Sequence, residues 1–190
     1  ADTVYLGQRD GQHIFAVMLD DEPTPNGLDE KAFTSFRTLM GNLSGADAAM
    51  LAYAKGMVEW QQRHQYCAMC GARNRAESGG FAMVCTNSTC CKRSFPRIDP
   101  AIIVLVTADD SCLLGRQTGW PAARYSTIAG FLEPGESLED AVAREVREET
   151  NIEIASLQYM GSQPWPFPGA MMIGFHATAA SKAIVLNDGE

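Results

Sequence analysis

Hydrophobic and polar positions fall into three regimes along the chain. Residues 1–64 open with alternation, so Thr3–Gly7 and His13–Met18 are expected as strands. A polar loop around Pro23–Gly27 follows, then two helical stretches near Asp29–Leu39 and Ala46–His64. In the second helix, Leu51, Ala54, Val58 and Trp60 recur at roughly helical spacing and are expected in a core. Residues 65–97 carry most of the cysteines. From residue 98 the pattern is strand-rich: Ala101–Val106, Ser111–Gly115, Ser126–Phe131, Ala155–Gly161 and Met171–Thr178, with a strand-like Ala183–Leu186 near the end. The expected organisation is a small N-terminal α/β domain (1–64), a cysteine segment (65–97) and an α+β domain (98–190). No internal repeat or low-complexity tract interrupts it.

One helix breaks the local rule. Between Glu133 and Glu149 stand seven carboxylates against two arginines. Ser137 with Asp140 forms a capping-box signature after the Pro134-Gly135 turn. Asn151 suits a left-handed helix end. At roughly 100° per residue, Leu138, Ala141, Val142 and Val146 form the core stripe. Glu145 and Glu149 fall near the centre of that stripe and Glu148 at its edge, while Asp140, Ala143 and Arg147 lie behind. An ordinary amphipathic helix has leucine where Glu145 and Glu149 stand. Like charges at i,i+4 repel, and burying them unpaired is costlier still. A solvated acidic face is the bland reading, but the phase opposes it. Hard oxygen ligands on a rigid helix suit Mg²⁺ or Mn²⁺.

Composition adds limits. The chain has 190 residues, 46% of them hydrophobic, enough for one or two compact units. Its net charge of −8 opposes a generic polyanion-binding surface, though not an anionic substrate delivered to bound metal. The longest apolar run, Ala101–Val106, is too short to span a membrane, and no secretory signal is visible. An intracellular, cytoplasmic location is expected. The six cysteines fit a metal site better than a disulfide framework. Cys67-x2-Cys70 is followed, after 14 residues, by Cys85-x4-Cys90. Four thiolates on two turns suit one tetrahedral, structural Zn²⁺. Spacing leaves the fourth ligand open between Cys90 and the adjacent Cys91. Cys112, in an expected strand, is assigned as a buried apolar residue. His13, His64 and His176 are assigned structural roles.

The stretch Ser162-Gln-Pro-Trp-Pro-Phe-Pro-Gly-Ala170 has three prolines, which exclude helix and central strand. An extended course would alternate its side chains and put Trp165 and Phe167 on one side. Such a segment can position a base or a nicotinamide ring. The bland reading is a rigid connecting loop.

These residues resemble a known family. Gly130, Glu136, Arg144-Glu145-Val146-Arg147-Glu148-Glu149 and Ile152 match the Nudix box, with Asn151 where glycine is usual. The Ser162–Ala170 stretch resembles the signature of the zinc-ribbon NADH pyrophosphatases within that superfamily, with Ala170 in place of serine. Phe95, before Pro96-Arg97, stands where tyrosine is common, and Gly79-Gly80 where some members have an acidic contact. The family's longer second knuckle favours Cys90 as the fourth zinc ligand.

The resemblance implies a Nudix fold, a mixed sheet between helices, preceded by a zinc ribbon. It implies metal-dependent hydrolysis of the pyrophosphate of NADH or NAD⁺ to nicotinamide mononucleotide and AMP, and removal of NAD caps from RNA 5′ ends. Two or three Mg²⁺ or Mn²⁺ ions are implied on Glu145, Glu149, the carbonyl near Ala129 and an acidic residue matching Glu190. Glu148 or a neighbouring carboxylate would handle the attacking water. Arg144 would pair with Glu136 and brace the loop. Phe95 and Phe131 would sandwich a ring, across a homodimer. Gln163, Pro164, Trp165, Pro166, Phe167, Pro168, Gly169 and Ala170 would line the substrate site. The family's strand and helix that follow Glu190 are expected to be missing here. Two other readings stand beside this one. One is a Nudix hydrolase for ADP-ribose or dinucleoside polyphosphates. The other is a non-catalytic zinc-ribbon interaction module.

Overall fold

The computed structural model describes residues 3–19 and 34–186. The chain forms two compact units: Ala1–Arg97 with Pro166–Gly169, and Ile98–Trp165 with Ala170–Glu190.

In the first unit, β1 (Thr3–Arg9) and β2 (Gln12–Val17) pair as an antiparallel hairpin. The expected loop at Pro23–Gly27 and the start of the next helix lie outside the described residues. Helix α1 is the short Phe36–Leu39. Helix α2 (Gly45–Arg63) is capped by Ser44, whose hydroxyl accepts the Asp47 N–H. Its core-facing residues are Met57, Trp60 and Gln61, with Val58 packed beside them. Leu51 and Ala54 are only half-buried, so the stripe sits later in the helix than its periodicity suggested. The cysteine segment follows with β3 (Asn74–Glu77), β4 (Ala82–Cys85) and β5 (Arg93–Ser94), an antiparallel three-stranded sheet. Met83 of β4 joins Val4, Met57 and Trp60 in one core, so the expected N-terminal and cysteine segments share their apolar packing.

The second unit is built on β6 (Asp99–Ala108). It pairs antiparallel with β7 (Ser111–Leu113) and β8 (Ile128–Phe131), and parallel with β10 (Ala170–Ala179). Strand β9 (Ile154–Trp165) pairs antiparallel with β10, giving a mixed sheet in the order β7-β6-β10-β9 with β8 also on β6. Helix α3 (Leu138–Thr150) covers this sheet. Its Ala141, Val142 and Val146 are fully buried against Ile102, Val104 and Val106 of β6, Ile128 of β8 and Phe175 of β10. The end of α3 is as expected: Asn151 is left-handed (φ 59°) and its N–H bonds the Arg147 carbonyl.

Two expectations are overturned. Ala183–Leu186 forms no strand, although the Val185 N–H bonds the Thr150 carbonyl. Cys112 is exposed rather than buried, on the three-residue edge strand β7. The histidines take structural bonds: His13 to Tyr5, His64 to the Trp60 carbonyl and His176 to Thr107. Among the described residues no helix is long and apolar enough to cross a membrane.

The central strand carries the second unit's stability. Ile102 is fully buried, whereas Leu105 on the same strand is 39% exposed. Ile102→Ala is expected to cost about 2–5 kcal/mol of unfolding free energy, and Leu105→Ala far less. Urea denaturation of the two variants checks this.

Candidate active site

The acidic helix is organised by one cation. Arg144 makes five hydrogen bonds, one for each of its N–H groups. Nε and Nη2 take the two oxygens of Glu136 at 2.7 and 3.0 Å, a bidentate pair. Nη1 reaches Glu145 at 2.9 Å and Glu148 at 3.1 Å. Nη2 also donates to the Phe131 carbonyl at 2.9 Å. Glu136 in turn accepts the Glu133 N–H at 3.0 Å, which closes the turn before the helix. The guanidinium is therefore saturated and has no N–H left for a ligand.

Glu145 and Glu149 are half-buried and Glu148 is exposed, following the helix phase. Gly130 on β8 is necessary to this arrangement. A Cβ there would overlap the Glu145 carboxylate, so that carboxylate lies directly against the strand backbone. Among the described residues, the only cluster of three or more Cys, His, Asp or Glu ligand atoms within 4.8 Å is the cysteine one. The three helix glutamates are not gathered so tightly; Arg144 stands between Glu145 and Glu148. Glu190 lies outside the described residues.

Two depressions meet beside the helix. One, of about 350 Å³, is lined by Glu149, Thr150, Ser126 and Ala129 together with the loop after β7. The other, of about 560 Å³, is lined by Gln163, Trp165, Ile103 and Met172, and again by Ser126 and Ala129. Ala129 is exposed and pairs with Ile103 across β8 and β6. The Glu149 carboxylate and the proline-aromatic segment thus open onto the same two residues.

The segment itself divides. Ser162–Trp165 is the end of β9, and Trp165 pairs with Ala170. Pro164 is tolerated because β9 is an edge strand. The chain then turns at Pro166–Gly169, so alternation does not carry on to Phe167. Trp165 lines the larger depression, whereas the Phe167 ring stacks on Phe36 at 6.0 Å with the Arg37 guanidinium 4.4 Å from its centre. The expectation that both rings face one side is corrected by this turn. Phe131 and Phe95 are 60% and 62% exposed, each in its own unit. Sequence reasoning missed Ser126, and also the loop Arg116–Tyr125. The only signal for that loop was cations in an acidic chain.

In the first unit, Cys67, Cys70, Cys85 and Cys90 bring their sulfurs within 4.8 Å of one another. The Cys67–Cys90 and Cys70–Cys85 separations are 3.8 and 3.4 Å. A tetrahedron with metal–sulfur bonds of about 2.3 Å has edges of about 3.8 Å. The N–H of Met69, then that of Cys70, points at the Cys67 thiol and lowers its pKa to about 7. Cys91 is turned away: its backbone is left-handed (φ 48°) and its sulfur lies 3.2 Å from the Ser88 carbonyl.

A mixed sheet bearing a loop–helix–loop with inward carboxylates is the NUDIX architecture. The chain belongs to the NUDIX family: the NUDIX domain matches residues 97–190, and the NADH pyrophosphatase-like rudimentary NUDIX domain matches residues 1–60. It is 41% identical over 187 residues to the NAD-capped RNA hydrolase NudC of Pseudomonas fluorescens, covering 97% of this chain and 65% of that protein. It is 40% identical over 180 residues to the protein of the same name from Stutzerimonas stutzeri, covering 95% and 63%. The chain therefore spans just under two thirds of the length of the curated relatives it matches. A NUDIX hydrolase from Nitrosomonas europaea has a similar fold, with a TM-score of 0.52, 19% identity, and coverage of 66% of this chain and 73% of that one.

The Arg144 pair predicts a pH dependence. Arg144 holds the Glu136 carboxyl below its ordinary value of 4.5, with the Glu133 N–H adding to the effect. A depressed folded-state pKa adds stability above the ordinary value, and that stability is lost as pH falls through the folded value. Glu136→Gln is expected to melt lower than the parent at neutral pH, with the gap closing below about pH 4. Melting curves across pH test this; a gap that does not narrow as pH falls below about 4 contradicts it.

Proposed function

We propose that the chain hydrolyses the pyrophosphate of NADH or NAD⁺, giving nicotinamide mononucleotide and AMP, and removes the same group from NAD-capped RNA 5′ ends. The observation that carries this is the meeting at Ser126 and Ala129 of the Glu149 depression and the Gln163–Trp165 depression. One side has acidic groups suited to pyrophosphate-bound metal, and the other has the segment that resembles NADH pyrophosphatases. Relatives named NAD-capped RNA hydrolase support the same substrate class.

Glu145, Glu149, the Ala129 carbonyl and Glu190 would hold Mg²⁺ or Mn²⁺, since hard oxygen donors fit these ions. When bound, the ions supply charge neutralisation and a more acidic water. Glu148 or a neighbouring carboxylate takes the proton of the attacking water. Arg144, saturated by protein acceptors, keeps the loop and helix in register. Phe131 and Phe95 offer rings to the nicotinamide end, the latter from a second copy in a homodimer. Cys67, Cys70, Cys85 and Cys90 form a zinc ribbon with one structural Zn²⁺. Domains at 1–64, 65–97 and 98–190 complete the reading, with intracellular action.

Glu149→Gln removes a metal-facing charge at constant shape and is expected to lower kcat by about 10²–10⁴. Gln163→Ala should instead raise KM for NADH and spare kcat and metal affinity, because it removes uniform binding. A substrate panel of NADH, ADP-ribose and diadenosine polyphosphates with Mg²⁺ or Mn²⁺ measures both. Equal losses on every substrate for Gln163→Ala would favour the broader Nudix activities over NADH.

For the ribbon, Cys90→Ser is expected to lose zinc and melt lower, since structural zinc contributes folding free energy. Cys91→Ser should keep it. Metal analysis by mass spectrometry decides, and the reverse pattern would exchange the two ligands.

A further inference from the structure

The loop Arg116–Tyr125 carries a feature outside the roles assigned above. Its base is closed by Gly115 and Ser126, whose backbones exchange hydrogen bonds of 2.8 and 3.0 Å. Within it, the Trp120 N–H bonds the Gln117 carbonyl and the Arg124 N–H bonds the Pro121 carbonyl. Arg116 donates from Nη2 to the Trp120 carbonyl at 2.7 Å. The Arg124 guanidinium lies 5.5 Å from the centre of the Trp120 ring. Two cations and an indole are thus held as one group.

Charge distinguishes this group. The cations of residues 98–190 are Arg116, Arg124, Arg144, Arg147 and Lys182. Arg144 pairs with Glu136, Arg147 with Glu153 and Lys182 with Asp109. Among the described residues, Arg116 and Arg124 have no carboxylate within 4.0 Å. In a chain of net charge −8, two arginines with no acid partner among the described residues leave guanidinium forks that suit a phosphate. Location agrees: Arg116, Gln117 and Trp120 line the 350 Å³ depression with Glu149, Ser126 and Ala129.

We propose that this loop is a second nucleotide subsite, holding the nucleoside 5′-phosphate half of the substrate that Gln163 and Trp165 do not hold. The inference rests on the pyrophosphate-hydrolase reading and adds the position of the other half. Guanidinium forks match phosphate oxygens, and an indole face accepts a base. The larger depression takes one nucleotide, the loop takes the other, and the linkage crosses at Ala129. An adenylate from a free dinucleotide and the first nucleotide of a capped RNA present the same chemistry here.

The test is calorimetric titration of the intact protein, with Mg²⁺ present, by AMP, nicotinamide mononucleotide and a 5′-phosphorylated RNA tetranucleotide. Arg116→Ala/Arg124→Ala is expected to weaken AMP binding about ten-fold or more and to leave nicotinamide mononucleotide within about two-fold. The tetranucleotide should follow AMP in losing affinity. If the parent binds it more tightly than AMP, the loop receives RNA ends; equal binding assigns it to free dinucleotides, and both support a nucleotide subsite. AMP affinity unchanged in the variant, AMP failing to bind the parent, or equal loss of both mononucleotides would overturn the proposal. If only nicotinamide mononucleotide fails to bind the parent, the NAD-type reading falls while the subsite stands.

Discussion

The bidentate pair between Arg144 and Glu136 is the constraint on which the acidic helix depends. Seven carboxylates within one loop and helix repel one another. A single guanidinium answers three of them, Glu136, Glu145 and Glu148, and also ties the Phe131 carbonyl of β8 to the helix. The same contact therefore fixes charge, loop shape and helix placement. Because Arg144 is only 22% exposed, screening by water and salt weakens these bonds less than at an open surface.

Close approach of helix and strand is the second requirement. Gly130 lets the Glu145 carboxylate lie on β8, and Ala141, Val142 and Val146 seal the helix against the sheet around it. This leaves Glu149 at the edge of the packed layer, where it borders a depression, and leaves Ala129 open on the same strand, β8. Apolar packing thus positions carboxylates that would not enter a core by themselves.

The first unit solves a different problem. Its small sheets have little apolar surface, and Val4, Met57, Trp60 and Met83 form its core. Gln61 is buried yet satisfied, donating to the Gly80 carbonyl at 2.8 Å, and any side chain at Gly80 would collide with that amide. The converging sulfurs of Cys67, Cys70, Cys85 and Cys90 would add a second fixed point on holding a metal. A small domain with so modest a core gains from such a staple.

Helix α3 was legible in the sequence from end to end, because a capping box, an apolar stripe and a left-handed Asn are local signals. The phase of Glu145 and Glu149 followed from the same periodicity. The pairing of Arg144 with Glu136, eight residues earlier across a turn, was instead an expectation of the family resemblance. Cysteine spacing marked three of the converging sulfurs, since each knuckle is a local turn, but left the fourth open between Cys90 and Cys91; the family resemblance favoured Cys90, the one that converges. Tertiary structure alone decided the rest. It turned the chain at Pro166 and so parted Phe167 from Trp165, and it left Cys112 exposed on an edge strand. It also brought Arg116 and Trp120 beside Glu149. Those outcomes depend on which strands lie at the edge of the sheet and which loops border its open end. Residues far apart in sequence decide that, and no local pattern records it.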